Sequence, residues 1–463
     1  MHRNCDICGV GEGTLVDRVT ENGKAVEYVY CEPCYKRALK SGISPIEEAK
    51  KGIALKGKRC LHCGCTEDEF NASFLFGCGH CYGDMHEIAT NAILRTQSGQ
   101  HSLYEDFNKK LNGTTKTNSF KSANECSAED LVHNNVVSSR IRLARNAAGM
   151  DFPHRFRPHD RRADDLLISA AKAGHGLFDA LVSKMPDLSK SQKKLLLERH
   201  FISIPLANNP NGAVIIERVE HPQISVMVNE EDHFREQCVV GGHNLIGAYK
   251  RVHEYDLRLG EVIPLAYDAR LGYLTACPTN VGTGMRASEM LFLPALRRTG
   301  AIDDALKKVV RESGLTVRGY FGEGSECAYD MYQISNSRTF GVSEINTVWQ
   351  VEQAVLRLCY LERVALEKLF EQQNTSLLDG ISRSYGVLMS AFSLTAQELM
   401  KLLVDVKLGV ILGVLPIKSM APLNAVIEEC SSSIEIEDGN MSEDERNKDR
   451  ARKVHSILAE GKC

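Results

Sequence analysis

The sequence has no apolar run of the roughly 20 residues that a bilayer crossing requires. Its opening residues, MHRNCDICG, lack the apolar stretch of a secretory signal. It also lacks a charge imbalance. Lys and Arg number 56 against 60 Asp and Glu, a net charge of −4, which argues against a broad basic surface for nucleic acid. Neither a membrane nor a direct nucleic-acid partner is expected. What remains is an ordinary globular composition, 43% hydrophobic and 25% charged, over 463 residues, enough for two to four domains.

Cysteine, in contrast, is plentiful: 16 in all. The first nine fall before residue 82, and eight of these form Cys-x-x-Cys pairs: Cys5 with Cys8, Cys31 with Cys34, Cys60 with Cys63, and Cys78 with Cys81. With no export signal, this pattern favours metal binding in a cytoplasmic or other reducing compartment over disulfides. Two pairs roughly twenty residues apart supply four thiolates for one tetrahedral ion. The arrangement occurs twice, so residues 1–90 are expected to hold two structural zinc sites, with hairpins between the pairs. A redox dithiol is the competing reading, and four matched pairs disfavour it. Cys65, His80 and His86 are bystanders, except that Cys65 could exchange with Cys63. A four-cysteine site leaves no open position for chemistry, so this module should bind or brace.

Residues 91–128 turn polar and read as a linker, with one helical turn near Tyr104 to Leu111. Residues 129–350 alternate strands and helices. Strands are expected at Val136–Arg145, Ala213–Glu217, Gln223–Val228, Leu271–Ala276, Leu315–Tyr320 and Met331–Asn336. Helices are expected from Arg161 to Glu198 with a break at Pro186, from Asn244 to Leu257, and from Ala287 to Thr299. Residues 351–463 read as helical. Val351 to Phe370 carries an apolar stripe, and Thr395 with Glu398 opens another helix. Leu408–Leu415 is apolar enough for a subunit contact, and a homodimer or larger assembly is expected.

Five arginines and two acids recur in turns at strand ends: Arg140, Arg142, Arg235, Arg286, Arg318, Glu231 and Glu323. The segment CPTNVGTGMR, Cys277 to Arg286, is a glycine-punctuated loop ending in Arg, suited to cradle an anion. Arginine presents a planar fork of donors that matches phosphate oxygens. Several such forks could hold a triphosphate and neutralise a phosphoryl group in transfer. Carboxylates in such a cluster suggest a cationic substrate. A guanidinium fits, because it is a poor nucleophile that a carboxylate must orient and deprotonate as transfer proceeds.

SSRIRLARN, VNEEDHFR, CPTNVGTGMRAS and RGYFGEGSE…YQISN together resemble the signature segments of the guanidino (phosphagen) kinase family, in the family's order. The wording is nearest the bacterial protein-arginine kinases, and the Cys5–Cys81 segment resembles their zinc-binding activator. The resemblance implies an α+β fold: an antiparallel sheet flanked by helices as the catalytic domain, an N-terminal zinc-knuckle module and a C-terminal helical domain. It implies Glu231 and Glu323 as guanidinium holders, Cys277 as the active-site thiol and Arg286 among the catalytic groups. It places the nucleotide on Ser138, Ser139, Arg140, Ile141, Arg142, His200, Arg235, Arg286, Ala287, Ser288, Glu289, Met290, Arg318, Gly319, Tyr320, Phe321, Gly322 and Glu323. The cofactors implied are ATP with Mg2+, and structural Zn2+ on Cys5, Cys8, Cys31, Cys34, Cys60, Cys63, Cys78 and Cys81.

Arg446, Asn447, Arg450 and Ala451 resemble a phosphoarginine-reading pocket, with Asn447 where the family has Asp. The partners implied are arginine-bearing proteins, a Clp-type protease and a repressor client, in a stress response. Two rivals stay open: a phosphagen kinase for free arginine or a similar guanidine, and a zinc-bearing adaptor with a silent kinase fold.

Overall fold

The computed structural model describes residues 5–7, 12–21, 24–40, 43–54, 58–97, 127–219, 223–311, 313–319, 328–430 and 442–460. Among them no helix is long and apolar enough to cross a membrane. The strands among the described residues are, in chain order, β1 Leu15–Glu21, β2 Lys24–Tyr30, β3 Val136–Arg145, β4 Ala180–Lys184, β5 Ala213–Glu217, β6 Ile224–Val228, β7 Phe234–Gly241, β8 Tyr267–Asp268, β9 Gly272–Tyr273, β10 Met285–Phe292, β11 Leu315–Gly319 and β12 Met331–Asn336.

Eight strands form one sheet in the order β11-β12-β10-β3-β7-β6-β5-β4. Every adjacent pair is antiparallel. Side chains alternate across such a sheet with period two. In β3, Ile141 and Leu143 enter the main core, and in β10 Met285, Ala287 and Leu291 join them. The helices Leu245–Val262 and Glu344–Ser390 cover that face with Leu245, Val252, Val351, Val355 and Leu358. The intervening positions, Arg140, Arg142, Arg286 and Ser288, therefore point to the opposite face, which is open to a cleft.

β3, β5, β6 and β12 fall where the sequence puts them; other elements differ. Residues 287–292, expected as helix, belong to β10, because pairing with β3 and β12 on both sides overrides the helix preference of Ala, Glu and Met. The tract from Arg161 breaks early: the helix ends at Gly174, Gly176 takes φ +80°, and Leu181 lies in β4 before Lys190–Glu198 turns helical. Residues 271–276 give only the two-residue β9, since Thr275 and Ala276 bond to other segments instead. Leu408 and Leu412 are buried inside this chain's own core, so their apolarity requires no subunit contact.

The first cysteine module is a β1–β2 hairpin followed by two helices. Between the second set of pairs lies the helix Glu67–Ser73, not a hairpin, with a Thr66–Glu69 capping box to start it. The helix His86–Gln97 then runs past residue 90, so the expected linker begins later, and the turn near Tyr104 lies outside the described residues. This second module does not stand apart. Phe76, Tyr82, Met85 and Ile93 share a core with Phe152, Ala276 and Val281.

Candidate active site

One cleft of about 2530 Å³ opens on the opposite face of the sheet from the main core. Arg140, Arg142, Arg235, Arg286 and Arg318 all line it, with Glu230, Glu231, Cys277, Asn280, His200, Ser138, Ser288 and Met290. The register explains the clustering. Arg286 stands opposite Arg142, Ser288 opposite Arg140, Arg235 opposite Ala144, and Arg318 opposite Gln333.

The cations are poorly compensated. Among the described residues no carboxylate comes within ion-pair distance of Arg140, Arg142 or Arg286. Burial and then mutual repulsion hold Arg140 down to about 10, with Arg235 and Arg286 as its neighbours. Arg318 is lowered to about 10 by burial and by Arg286 and Arg140. Burial also lowers Arg142, well below its ordinary value, and Arg286. The Arg140 Nε is buried with no hydrogen-bond partner. A buried, unsatisfied donor beside like charges is costly unless an anion meets it. The site is built for a polyanion.

Arg235 differs. Burial opposes its charge, but Glu230, Glu231 and Asp232 reverse the balance and raise it. Its Nη1 pairs with Glu230, and its Nη2 donates to Glu231 Oε1 at 2.6 Å. Asn280 Nδ2 also donates to Glu231 Oε1, at 3.1 Å, and Ser203 Oγ donates to Glu230. Glu231 is thus oriented by a cation and an amide at the end of the arginine cluster. Cys277 lines the same cleft, its Sγ 3.0 Å from Thr279 Oγ1. Burial, with Glu231 and Asp232 nearby, raises its pKa against the pull of the Thr279 hydrogen bonds.

Several sites expected from sequence are not on this face. Strand parity sends Ile141 and Ala287 into the core. Ser139 donates to Glu289 Oε1 at 2.6 Å, and the same carboxylate meets His243 Nδ1 at 2.9 Å, away from the cleft lining. If these four contact a nucleotide, only their backbones can do so. Glu323 and its neighbours Tyr320, Phe321 and Gly322 lie outside the described residues, and Gly319 ends β11 just before them.

Arg450 is buried and donates to the carbonyls of Cys430 at 2.8 Å and Leu394 at 2.9 Å and to Asn447 Oδ1 at 2.6 Å. Ala451 belongs to the C-terminal core and Arg446 is half-buried. None of the four lines the cleft. Asn447, whose amide lacks a carboxylate's charge, still accepts from a guanidinium here, namely that of Arg450.

Sequence reasoning passed over Ser203 and Asn280 and gave Glu230 no role. Asn280 was within sight in the Cys277 loop; Ser203 carries no local signal.

The thiols of Cys60, Cys63, Cys78 and Cys81 lie within 4.8 Å of one another. The Cys60–Cys78 and Cys63–Cys81 sulfur separations are 3.7 and 3.5 Å. A tetrahedron with ~2.3 Å zinc–sulfur bonds has edges of about 3.8 Å, so the four residues fit such an ion. Cys65 lies outside the set. Cys5, Cys31 and Cys34 make a second group, and Cys8 lies outside the described residues.

Residues 169–365 match the ATP:guanido phosphotransferase C-terminal catalytic domain, and residues 374–462 match the protein-arginine kinase McsB C-terminal domain. A protein-arginine kinase of Clostridium kluyveri is 38% identical over 331 residues, 70% of this chain and 94% of that protein. The protein-arginine kinase of Bacillus subtilis is 38% identical over 297 residues, covering 63% of this chain and 80% of the relative. Among solved structures, lombricine kinase aligns with a TM-score of 0.54 at 23% identity, over 69% of this chain and 91% of that one. A duplicated taurocyamine kinase from Schistosoma mansoni aligns at 0.52 and 22%, over 73% of this chain and 49% of that longer one. These two share the fold. The chain belongs to the ATP:guanido phosphotransferase family, in the group of the protein-arginine kinases.

Proposed function

We propose that this chain transfers the γ-phosphoryl group of ATP to arginine side chains of proteins. The observation that carries this reading is the single cleft in which five arginines converge and Glu231, held by Arg235 and Asn280, closes one end. Its volume exceeds the roughly 300–1,000 Å³ of an ordinary small-molecule pocket. That leaves room for a nucleotide and an arginine still attached to its chain. The relatives' names support the protein substrate.

In this reading Arg140, Arg142, Arg286 and Arg318 hold the phosphates and offset the charge of the transferring group. Mg2+ bound with the nucleotide would supply further charge neutralisation to the phosphates. Glu231 aligns the substrate guanidinium in line with the γ-phosphorus. A guanidino nitrogen bonds to phosphorus as the bond to the ADP oxygen breaks, and the nitrogen's proton passes to a carboxylate, Glu231 or Glu323. Cys277 packs beside that nitrogen. Zinc at Cys60, Cys63, Cys78 and Cys81, and at the Cys5 group, would supply a cross-link that fixes the N-terminal fold.

The test offers Mg-ATP with an unfolded arginine-rich protein and, separately, with free arginine, and measures acid-labile phosphate on each. Label on the protein is expected. Label on free arginine alone would reassign the substrate, and label on neither would remove the activity. Delivery of the marked protein to a Clp-type protease is a further step of the proposal, checked by degradation that requires the phosphorylation.

A further inference from the structure

Gln97 ends the helix His86–Gln97 and is buried, 8% exposed. Its Oε1 accepts from the backbone N–H of Thr339 at 2.8 Å and of Phe340 at 2.6 Å. Its Nε2 donates to the carbonyls of Pro278 at 3.0 Å and Val281 at 3.3 Å. Backbone N–H groups only donate and carbonyls only accept, so the amide's orientation is fixed. One side chain thus ties a helix of the cysteine module to two segments of the catalytic domain.

The 277–281 segment belongs to the acceptor half of the cleft, and the 339–340 segment is bonded to it. Pro278 follows Cys277, and Asn280, two residues further on, donates to Glu231. The segments also meet directly. Thr339 Oγ1 donates to Val281 O at 2.7 Å, and Thr283 N to Thr339 O at 2.9 Å. Gly282 has φ +109°, and a Cβ there would come within 2.2 Å of Thr339 O. Upstream, Tyr82 Oη donates to Thr275 O at 2.9 Å, and Phe76 N to Ala276 O at 2.8 Å. The loop carrying Cys277 has little freedom while these bonds hold.

We propose that Gln97 is a positioning residue for the acceptor: it holds Cys277 and Asn280, and through Asn280 the Glu231 carboxylate, in place for transfer to the guanidinium. This rests on the function proposed above. The nucleotide arginines sit on β3, β7, β10 and β11 and do not depend on Gln97.

The experiment uses the full chain with Gln97→Glu. A carboxylate still accepts from Thr339 and Phe340 but has no hydrogen for Pro278 and Val281. The expected result is a loss of about tenfold or more in kcat/KM for an arginine-bearing protein, with KM for ATP unchanged. The alkylation rate of Cys277, read by peptide mapping, should change by about threefold or more as the loop shifts. Tyr82→Phe, which removes one bond and keeps the ring in its core, should give the same pattern more weakly, and decides the matter should Gln97→Glu not fold. Equal losses toward ATP and acceptor, or unchanged Cys277 reactivity in both variants, would overturn the proposal. The alkylation readout needs no acceptor, so it judges Gln97 even if the wild-type protein fails to label arginine.

Discussion

Arg142 and Arg286 stand directly opposite each other on the antiparallel strands β3 and β10, with both side chains on the cleft face. Directly opposed residues have Cβ atoms ~4.5–5.5 Å apart, and like charges there cost stability. The fold tolerates this for the sake of an anion. Removing one charge should therefore move activity and stability in opposite directions. Arg286→Gln is expected to lower kcat by about 10²–10³-fold while leaving the melting temperature unchanged or raised. A clear fall in melting temperature would show the pair to be structural.

Glu231→Gln keeps the shape of the side chain and an oxygen for Asn280 but removes the charge that attracts a guanidinium. Steady-state kinetics should show kcat down by about 10²–10⁴-fold, with KM for ATP little changed. Wild-type turnover in this variant would remove Glu231 from the chemistry and favour a silent kinase fold.

His233 gives a pH dependence with a definite sign. Its Nδ1 accepts from Ala147 N at 3.1 Å and its Nε2 donates to Asp151 O at 2.9 Å, an arrangement only the neutral ring can make. Burial holds its pKa down to about 3. Below pH 6.5 the unfolded chain takes up a proton that the folded ring refuses, so stability is lost as pH falls from 6.5 toward 3. Urea midpoints should drop over that window. In His233→Gln, which can keep one acceptor and one donor, the acid slope should be shallower; an equal slope would locate the acid sensitivity elsewhere.

Metal analysis of the intact chain should find about two zinc ions. Cys60→Ser removes one thiolate of the second cluster, and its product should hold about one. Because that cluster shares a core with Ala276 and Val281, the same variant should also lose catalytic activity. Full activity with one ion would mean the cluster is only an N-terminal staple.

The cleft was legible in the sequence to the extent that its chemistry is local. SSRIRLARN shows its alternation openly, so β3 and the shared face of Arg140 and Arg142 follow from period two alone. The same rule, applied to residues 285–292, would have separated Arg286 and Ser288 from Ala287 and Glu289, but Ala287-Ser-Glu-Met reads as helix until its two partner strands are known. Gln97 shows no signal at all, since its bonds reach residues more than 180 positions away. Arg145 was within view in the same motif, but its buried pairing with Asp256, at 2.8 Å, depends on a helix one hundred residues on. Side chains that answer distant backbone are invisible before the fold closes.

The attachment of the cysteine module to the Cys277 loop has one more consequence. Gln97 and Ser127 lie on the same polypeptide, so the module meets the loop within one molecule, at an effective concentration independent of how dilute the protein is. The contact is then first order. Diluting the protein should leave it intact, whereas the same surfaces on two separate chains would come apart as concentration falls below their dissociation constant.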